Sequence, residues 1–240
     1  MVSSAKISRP LFAAALAGAA VASLALLASG SHAAEPAVVL PPPAVTAASH
    51  ASSEKVVLAG GCFWGVQAVF QHVKGVKDAI SGYAGGQANT ATYPQVSTGT
   101  TGHAESVEVT FDPRVVSYGT ILQIYFSVAH NPTELNYQGP DEGTQYRSEI
   151  FYESDDQKRI AEGYIEQLDA ARSFGRPIVT RVEALGGFYP AEAHHQNYAT
   201  LNPESPYIAY NDAPKVDNLS RLFPGLFQAK PKLTAVAGAN

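Results

Sequence analysis

The most informative stretch of this 240-residue chain is GGCFWG, residues 60–65, which contains its one cysteine and its one tryptophan. The residues just before it, 55–59 (KVVLA), form a short apolar run that is typical of a buried strand. After it, apolar residues recur at helical spacing up to a stop signal at Gly75. Cys62 therefore lies at a predicted strand-to-helix turn. Because free backbone N–H groups at a helix start favour negative charge, we expect an approachable sulfur in its thiolate form.

Residues 1–34 are predicted to be a secretory signal peptide. Lys6 and Arg9 precede an apolar run over residues 11–28, and small residues follow in the pattern of a cleavage site. The run is close to the shortest length that spans a bilayer, so an uncleaved membrane anchor is the alternative. The protein is therefore expected to be exported, with the bacterial periplasm as its compartment.

Three further segments follow the predicted signal. Residues 35–53 are rich in Pro and Ala, a composition that predicts an extended linker without a core of its own. Residues 54–211 have the size and pattern of one folded domain, and residues 212–240 form a cysteine-free C-terminal tail. The net charge is −5 and no basic run is present, which argues against a nucleic-acid partner. We expect the chain to be a monomer.

Strand and helix patterns are mixed along the predicted domain, in the order strand, helix, strand, strand, helix, strand, helix, strand. This order predicts an α+β fold in which helices pack on a sheet. Two long polar loops, residues 87–103 and 130–147, interrupt it. Loops of this length in a compact domain are usually functional, so we expect them to build the site.

Glu105 opens a predicted strand over residues 105–111 (ESVEVTF) in which apolar residues alternate. It shares the parity of Val107 and Val109, so its carboxyl group is expected on the buried face, where its pKa would be raised. In the alternative interpretation, Glu105 lies beyond the end of the strand and is solvated.

A reactive thiol at a helix start fits a hydrolase nucleophile, a redox centre or a metal ligand. A metal site is not expected, because the chain has no second cysteine and its two adjacent histidines are poorly spaced for one helical face. A Cys–His hydrolase would need a histidine beside Cys62, and the candidates are His103, His130, His194 and His195. In a third interpretation, Cys62 is an inert buried residue of a binding protein.

Six motifs in unbroken order over residues 54–211 resemble those of the A-type peptide methionine sulfoxide reductases. They are GCFWG (61–65), GYAGG (82–86), TYPQV (92–96), GHAESVEVTFDP (102–113), QGPDEGTQYRS (138–148) and AEAHHQNY (191–198). The resemblance implies a ferredoxin-like α+β core with a mixed sheet. It also implies reduction of methionine-S-sulfoxide, free or within proteins, to methionine, without a metal or an organic cofactor.

The same resemblance implies a catalytic role for five matched side chains. Cys62 would attack the sulfoxide sulfur as a thiolate and become a sulfenic acid, while Glu105 would protonate the leaving oxygen. Tyr93 and Tyr146 would hydrogen-bond that oxygen. Asp141 would position water and the substrate.

Phe63 and Trp64 match the pocket that holds the S-methyl group of the substrate in this family. Consecutive residues on a helix point about 100° apart, so at least one of the two rings is expected near the sulfur. Aromatic rings also make favourable contacts with sulfur.

The chain departs from many family members in how Cys62 could be reset. The tail contains no cysteine, and Ser97 stands where some members have a loop cysteine. An external thiol is therefore expected to act: glutathione, a glutaredoxin-like or thioredoxin-like protein, or a thiol on another chain. Asn131 also stands where the family more commonly has an aspartate, and the sequence alone predicts no consequence of this change.

Overall fold

A six-stranded sheet with helices packed on it forms the centre of the fold. The computed structural model describes residues 1–2 and 36–235. The strands are β1 (Glu54–Gly60), β2 (Val76–Ala84), β3 (Ala104–Phe111), β4 (Tyr137–Gln138), β5 (Asp141–Glu142), β6 (Ser148–Tyr152), β7 (Arg181–Ala184) and β8 (Phe188–Pro190). The α-helices are α1 (Phe63–Gln71), α2 (Tyr93–Val96), α3 (Tyr118–Ile124), α4 (Asp155–Ala170), α5 (Tyr198–Leu201) and α6 (Ala213–Leu222).

The strand order in the sheet is β7-β6-β1-β3-β2-β8, and β4 pairs with β5 in a separate small hairpin. Along the run β6, β1, β3, β2, each strand is antiparallel to its neighbour. With α1 and α3 as the connecting helices, they follow the ferredoxin-like order of strand, helix, strand, strand, helix, strand. Because β7 pairs in parallel with β6, the sheet as a whole is mixed. The predicted α+β fold is confirmed.

The core lies between α1 and the sheet, as the apolar spacing predicts. Phe63, Val66 and Phe70 on α1 are each no more than 1% exposed. Val107 and Val109 on β3 belong to the same apolar cluster. The apolar residues that recur at helical spacing on α1 and at every second position on β3 thus pack together in one core.

Two predicted elements differ from the structure at their ends. The helix predicted over residues 117–129 changes after α3 into a π-helical turn, Tyr125–Ala129. The strand predicted from Ile178 begins only at Arg181 as β7. The backbone N–H of Ile178 is bonded instead to the Asp169 carboxylate at 3.0 Å, so it takes no part in the sheet.

The segment predicted as a free linker, residues 35–53, is packed on the helices over much of its described length. Leu40 is 5% exposed and belongs to the main apolar cluster. Its carbonyl accepts a hydrogen bond from the Gln123 side chain at 2.7 Å. The Pro41 carbonyl accepts one from the Tyr164 hydroxyl at 2.7 Å. The segment is extended and contributes Leu40 to the core of the folded domain rather than forming a core of its own.

The predicted boundary at residue 211 falls inside a helical run. A π-helical turn, Ile208–Asp212, continues directly into α6, whose Leu219 is fully buried. The tail then crosses the C-terminal end of α1, where the backbone N–H of Gln228 donates to the His72 carbonyl at 2.8 Å. The tail is thus part of the folded domain.

The predicted signal peptide, residues 1–34, lies outside the described residues except for Met1 and Val2, so the question of cleavage or anchoring stays a prediction. Among the residues that the structure does describe, no helix combines the length and the apolar character needed to cross a membrane.

Packing of residues 36–46 leads to a stability prediction. Replacing buried Leu40 with Ala removes apolar contacts from the core, so Leu40→Ala should lower the free energy of unfolding by about 2–5 kcal/mol. The neighbouring Val39 is 80% exposed, and Val39→Ala should change it by no more than about 0.5 kcal/mol. Urea denaturation of both variants measures the difference. Equal stability of the two variants would mean that the segment is a free spacer.

Candidate active site

Cys62 lies at the sharp turn between β1 and α1, where it caps the N-terminus of the helix. The preceding Gly61 has a φ of +83°, a conformation that side chains rarely adopt. A Cβ atom on Gly61 would also lie 2.6 Å from the Cβ of Gln138. Only glycine therefore lets the chain turn here while the loop carrying Gln138 packs against it. Cys62 itself is 8% exposed.

The loop behind this turn is held by a pair of hydrogen bonds between Asn131 and Gln138. The Asn131 backbone N–H donates to the Gln138 side-chain oxygen at 2.9 Å, and the Gln138 amide donates back to the Asn131 carbonyl at 2.7 Å. The Asn131 side-chain oxygen accepts from the backbone N–H and the hydroxyl of Thr133. An amide oxygen accepts these bonds as a carboxylate would, so Asn131 serves this turn in place of the commoner aspartate.

Glu105 lies on the buried face of β3 and is 3% exposed, as its parity predicts. Its Oε2 accepts a hydrogen bond from the backbone N–H of Phe63 at 3.1 Å. Burial raises its pKa to about 8; the Phe63 N–H opposes this shift, whereas nearby carboxylates add to it. The predicted raised pKa is confirmed, and most Glu105 carboxyl groups carry a proton at neutral pH.

A cavity of about 190 Å³ brings together all seven side chains that the sequence singled out. Its wall contains thiol, carboxyl, phenol and aromatic groups, contributed by Cys62, Phe63, Trp64, Tyr93, Glu105, Asp141, Tyr146 and Tyr207. Tyr207 is the one member of the wall that the sequence did not indicate.

The thiol of Cys62 does not have the low pKa that a helix start predicts. Burial raises its pKa well above the usual value, and the nearby carboxylates Glu105 and Asp212 raise it further. The backbone N–H of Trp64 lowers it, which is the helix-start effect, but this is the smaller influence. The prediction of a resting thiolate is therefore wrong, and the sulfur is protonated at neutral pH.

Tyrosine hydroxyls supply neutral hydrogen-bond donors to the cavity. Burial raises the pKa of both Tyr93 and Tyr146. The Tyr207 hydroxyl donates to the Asp141 carboxylate. Burial raises the pKa of Asp141, while this bond and the ammonium group of Lys215 oppose the shift. Tyr207 thus orients Asp141 in the wall.

The Trp64 ring is fixed by aromatic neighbours from the C-terminal part of the chain. Tyr198 stacks on it with ring centroids 3.9 Å apart and planes at 17°. Tyr207 meets it edge-on at 5.9 Å. His195 lies 5.8 Å from Trp64 and 4.4 Å from Tyr93. Tyr198 and His195 stand in the AEAHHQNY motif, but spacing alone gave no sign that they would support Trp64.

Glu192 links two loops at the edge of the cavity. It accepts hydrogen bonds from the Tyr93 backbone N–H at 2.9 Å and from the Tyr83 hydroxyl at 2.8 Å. This contact holds the start of α2, and with it Tyr93, against the sheet. No periodic pattern in the sequence pointed to Glu192.

No histidine in the described part of the chain is hydrogen-bonded to Cys62. His103 is held by the Gly86 N–H and the Gln87 carbonyl. His130 is bonded to Ser148, and burial lowers its pKa to about 3. His195 packs among aromatic rings, and His194 packs against His195 at a centroid distance of 4.1 Å. A Cys–His hydrolase therefore lacks its base here.

Potential metal ligands are dispersed in the structure. Over residues 1–2 and 36–235, no three His, Cys, Asp or Glu side chains are grouped so as to hold a metal ion.

Comparison with other sequences gives consistent matches. The sequence model of the peptide methionine sulfoxide reductase family matches residues 54–224. The chain is 63% identical over 185 residues to peptide methionine sulfoxide reductase MsrA 2 of Mesorhizobium japonicum, which covers 77% of this chain and 95% of the relative. It is 51% identical over 164 residues to peptide methionine sulfoxide reductase MsrA 2 of Synechocystis sp., covering 68% and 77%.

Solved structures match the fold. Mxr1 from Saccharomyces cerevisiae in its reduced form has a TM-score of 0.58 at 31% identity, covering 68% of this chain and 95% of that one. Methionine sulfoxide reductase A of Corynebacterium diphtheriae has a TM-score of 0.55 at 35% identity, covering 71% and 87%.

The raised pKa of Glu105 has a consequence for stability. In the unfolded chain its pKa returns to about 4.3. Between that value and about 8, the folded protein holds a proton that the unfolded chain has released, so the free energy of unfolding falls as pH rises. Glu105→Gln removes this titration and should lose less stability between pH 5 and pH 9, as measured by urea denaturation.

The matched control is Glu108→Gln on the same strand, where the carboxylate pairs with Lys55 at 2.9 Å. That variant should retain the wild-type decrease in stability with pH. If Glu105→Gln loses as much stability as the wild type, Glu105 does not titrate near pH 8.

Proposed function

The chain belongs to the A-type peptide methionine sulfoxide reductases, oxidoreductases that return methionine sulfoxide to methionine and so repair oxidised proteins, and we propose that Cys62 is its nucleophile. The observation that carries this proposal is the single cavity shared by the sulfur of Cys62 and the protonated carboxyl of Glu105. One group can attack a sulfoxide sulfur while the other protonates its oxygen.

The cavity wall suits the two ends of a methyl sulfoxide. The rings of Phe63 and Trp64 form the apolar part, where the S-methyl group would bind. The hydroxyls of Tyr93 and Tyr146, together with the Glu105 carboxyl, would donate hydrogen bonds to the sulfoxide oxygen. Asp141, oriented by Tyr207, would hold water and the substrate main chain beside the sulfur.

This arrangement also favours one sulfoxide epimer. The sulfoxide sulfur carries a methyl group, an oxygen, a longer chain and a lone pair. Fixing the methyl group and the oxygen, while Cys62 attacks from a set direction, leaves one position for the chain. The mirror-image epimer would exchange the methyl group and the chain. The resemblance to the A-type reductases implies which epimer this is, and we propose the S epimer, free or within proteins, as the substrate.

The reaction transfers oxygen from the substrate sulfur to Cys62. As the Cys62 sulfur bonds to the sulfoxide sulfur, Glu105 gives its proton to the sulfoxide oxygen. The transient bond between the two sulfurs and the bond from the substrate sulfur to oxygen then break, the hydroxyl group bonds to the Cys62 sulfur, and the thiol proton of Cys62 replaces the proton that Glu105 gave up. The products are methionine and a sulfenic acid on Cys62; two electrons pass from the cysteine sulfur to the substrate sulfur.

The protonated resting state of Cys62 fits this sequence of events. Hydrogen bonds to the sulfoxide oxygen withdraw electron density from its sulfur and make that sulfur a better electrophile. Attack then depends on the bound substrate rather than on a permanent thiolate. A neutral Glu105 also removes one negative charge that would oppose thiolate formation.

Recycling requires a thiol from outside the chain, because Cys62 is the one cysteine present. A first thiol would condense with the sulfenic acid to give a mixed disulfide and water, and a second would release the Cys62 thiol. Glutathione, a glutaredoxin-like protein or a thioredoxin-like protein can supply this chemistry. No metal or organic cofactor takes part.

The place of action is also part of the proposal. A signal peptide over residues 1–34 would export the enzyme, and oxidised proteins of the bacterial periplasm would then be its substrates. Retention of the apolar run as an anchor would keep the same substrates within reach.

Two substitutions test the catalytic roles. Cys62→Ser should abolish reduction of a methionine-S-sulfoxide peptide with dithiothreitol, because the nucleophile is lost. Glu105→Gln should lower kcat by roughly 10²–10⁴-fold, because the amide cannot protonate the oxygen. Glu108→Gln is the control and should retain wild-type turnover. Undiminished turnover in Cys62→Ser would show that Cys62 is not the nucleophile. Equal rates in Glu105→Gln and Glu108→Gln would show that Glu105 is not the acid.

A single-turnover experiment tests the one-cysteine cycle. Mixed with excess sulfoxide and no added thiol, the enzyme should release about one methionine per molecule and stop, because no internal thiol can reset Cys62. Dimedone, which traps sulfenic acids, should then label Cys62. Continued release of methionine, or quantitative release without dimedone labelling, would contradict the scheme.

A further inference from the structure

Asp212 and Lys215 form a buried ion pair beside the catalytic turn. Their side chains approach to 3.3 Å and are 0% and 10% exposed. Both lie in the helical run that begins at Ile208, within the segment predicted to be a tail. Buried charges are rare and costly, so a buried ion pair at this place indicates a role beyond solubility.

The pair rests directly on Gly65, in the first turn of α1. A Cβ atom on Gly65 would lie 2.1 Å from the Asp212 Oδ1 and 3.0 Å from the Lys215 Nζ. No side chain larger than a hydrogen atom therefore fits at position 65 while the pair is in place. Gly65, the last glycine of the GCFWG motif, thus lets both charged side chains pack against the first turn of α1.

Lys215 also reaches the far side of Cys62. A second cavity of about 20 Å³, with room for about one water molecule, is lined by Lys215 and Cys62. It shares only Cys62, Asp141 and Tyr207 with the substrate cavity. Lys215 and Cys62 thus line one small cavity outside the main substrate cavity.

The charge of Asp212 is only partly compensated by this pairing. Its Oδ1 meets Lys215, but its buried Oδ2 has no hydrogen-bond partner among the described residues. Buried polar atoms are usually satisfied, so an unpartnered oxygen on a carboxylate that packs against the first turn of α1 is unusual. Its electrostatic effect on neighbouring groups is correspondingly strong in a low-dielectric site.

We propose that Asp212 and Lys215 are positioning residues of opposite effect: Asp212 holds Cys62 as a thiol in the resting enzyme, and Lys215 limits that effect. A negative charge across Gly65 disfavours a second negative charge on the sulfur, whereas the ammonium group of Lys215, which pairs with Asp212 and lines a cavity with Cys62, favours it. The pair thereby sets how readily the thiolate forms.

Several other groups also face Cys62. They come from every element packed around the turn: Glu105 on β3, Asp141 on β5, Tyr93 on α2, Tyr146 before β6, Tyr207 before α6 and the Trp64 N–H on α1. Of these, Glu105 is mostly neutral at pH 7. Asp212, Asp141 and Lys215 are thus the groups whose charge can decide the state of the sulfur.

A protonated resting sulfur has a clear benefit for an enzyme with one cysteine. Thiolates are the form that oxidants attack, and oxidation beyond the sulfenic acid is not reversed by thiols. Holding Cys62 as a thiol until a sulfoxide binds would protect it. This inference rests on the proposed function only in taking Cys62 as the nucleophile.

Alkylation of Cys62 by iodoacetamide, without any sulfoxide, tests the pair. The reagent is uncharged, the chain has one cysteine, and the rate follows the thiolate fraction, about tenfold for each unit of pKa. Asp212→Asn should alkylate about threefold to tenfold faster than wild type between pH 7 and pH 9. Lys215→Met should alkylate slower by a similar factor, and Lys215→Arg should stay close to wild type.

The control is Asp217→Asn, an exposed carboxylate on the same helix, which should keep the wild-type rate. Opposite shifts in the two variants are the decisive result, because a merely structural role would loosen the site and speed alkylation in both. Shifts in the same direction, or none, would overturn the proposal. If Lys215→Met does not fold, Asp212→Asn and Lys215→Arg still test the proposal. In that case, the proposal is overturned if Asp212→Asn is alkylated no faster than the wild type.

Turnover of methionine sulfoxide by the same variants keeps the two proposals apart. If the two variants do not shift the alkylation rate in opposite directions but the wild-type enzyme reduces methionine sulfoxide, the role of the ion pair is excluded and the reductase mechanism is retained. If the variants show the opposite shifts but the wild-type enzyme has no turnover, the electrostatic role is retained and the proposed function is excluded.

Discussion

The hydrogen bond from the Phe63 N–H to the Glu105 carboxyl is the contact on which the rest of the site depends. At a helix start this N–H has no partner within the helix, and at the end of β3 the carboxyl group is 3% exposed. Each group satisfies the other. Because Cys62 directly precedes Phe63, the same bond holds a sulfur and an acid at one cavity. The aromatic wall and the tyrosines are arranged around a thiol and a carboxyl group whose relative position this backbone hydrogen bond sets.

Local pattern was enough to find this pair. Helical spacing after Gly61 placed Cys62 at the start of α1, and alternation along β3 placed Glu105 on the buried face with a raised pKa. Both conclusions depend on residues a few positions apart, which periodicity describes well. Motif order then indicated Tyr93 and Tyr146, which stand in loops where periodicity has no meaning. The structure places both in the cavity.

Long-range charge and packing were beyond the reach of the sequence. The expected thiolate at Cys62 followed from its own helix, whereas the dominant influences are burial and carboxylates that come from other elements, among them Asp212 at the far end of the chain. A similar limit affected residues 35–53. Their composition predicted an extended spacer, but composition cannot show that Leu40 fits between helices or that Tyr164 reaches a proline carbonyl. In both cases the deciding partners are distant in sequence.

The C-terminal tail is bound at the end of α1 that lies away from Cys62. Residues 226–234 lie across the C-terminal end of α1, tied by bonds such as Lys232 N–H to the Gln71 carbonyl and Thr234 N–H to the Asn197 side chain. α1 has nine residues and is about 13 Å long, with Cys62 at its other end. A tail held there supports the helix that begins beside Cys62. Its lack of a cysteine and its position agree with each other: the C-terminal segment has a structural task in this fold.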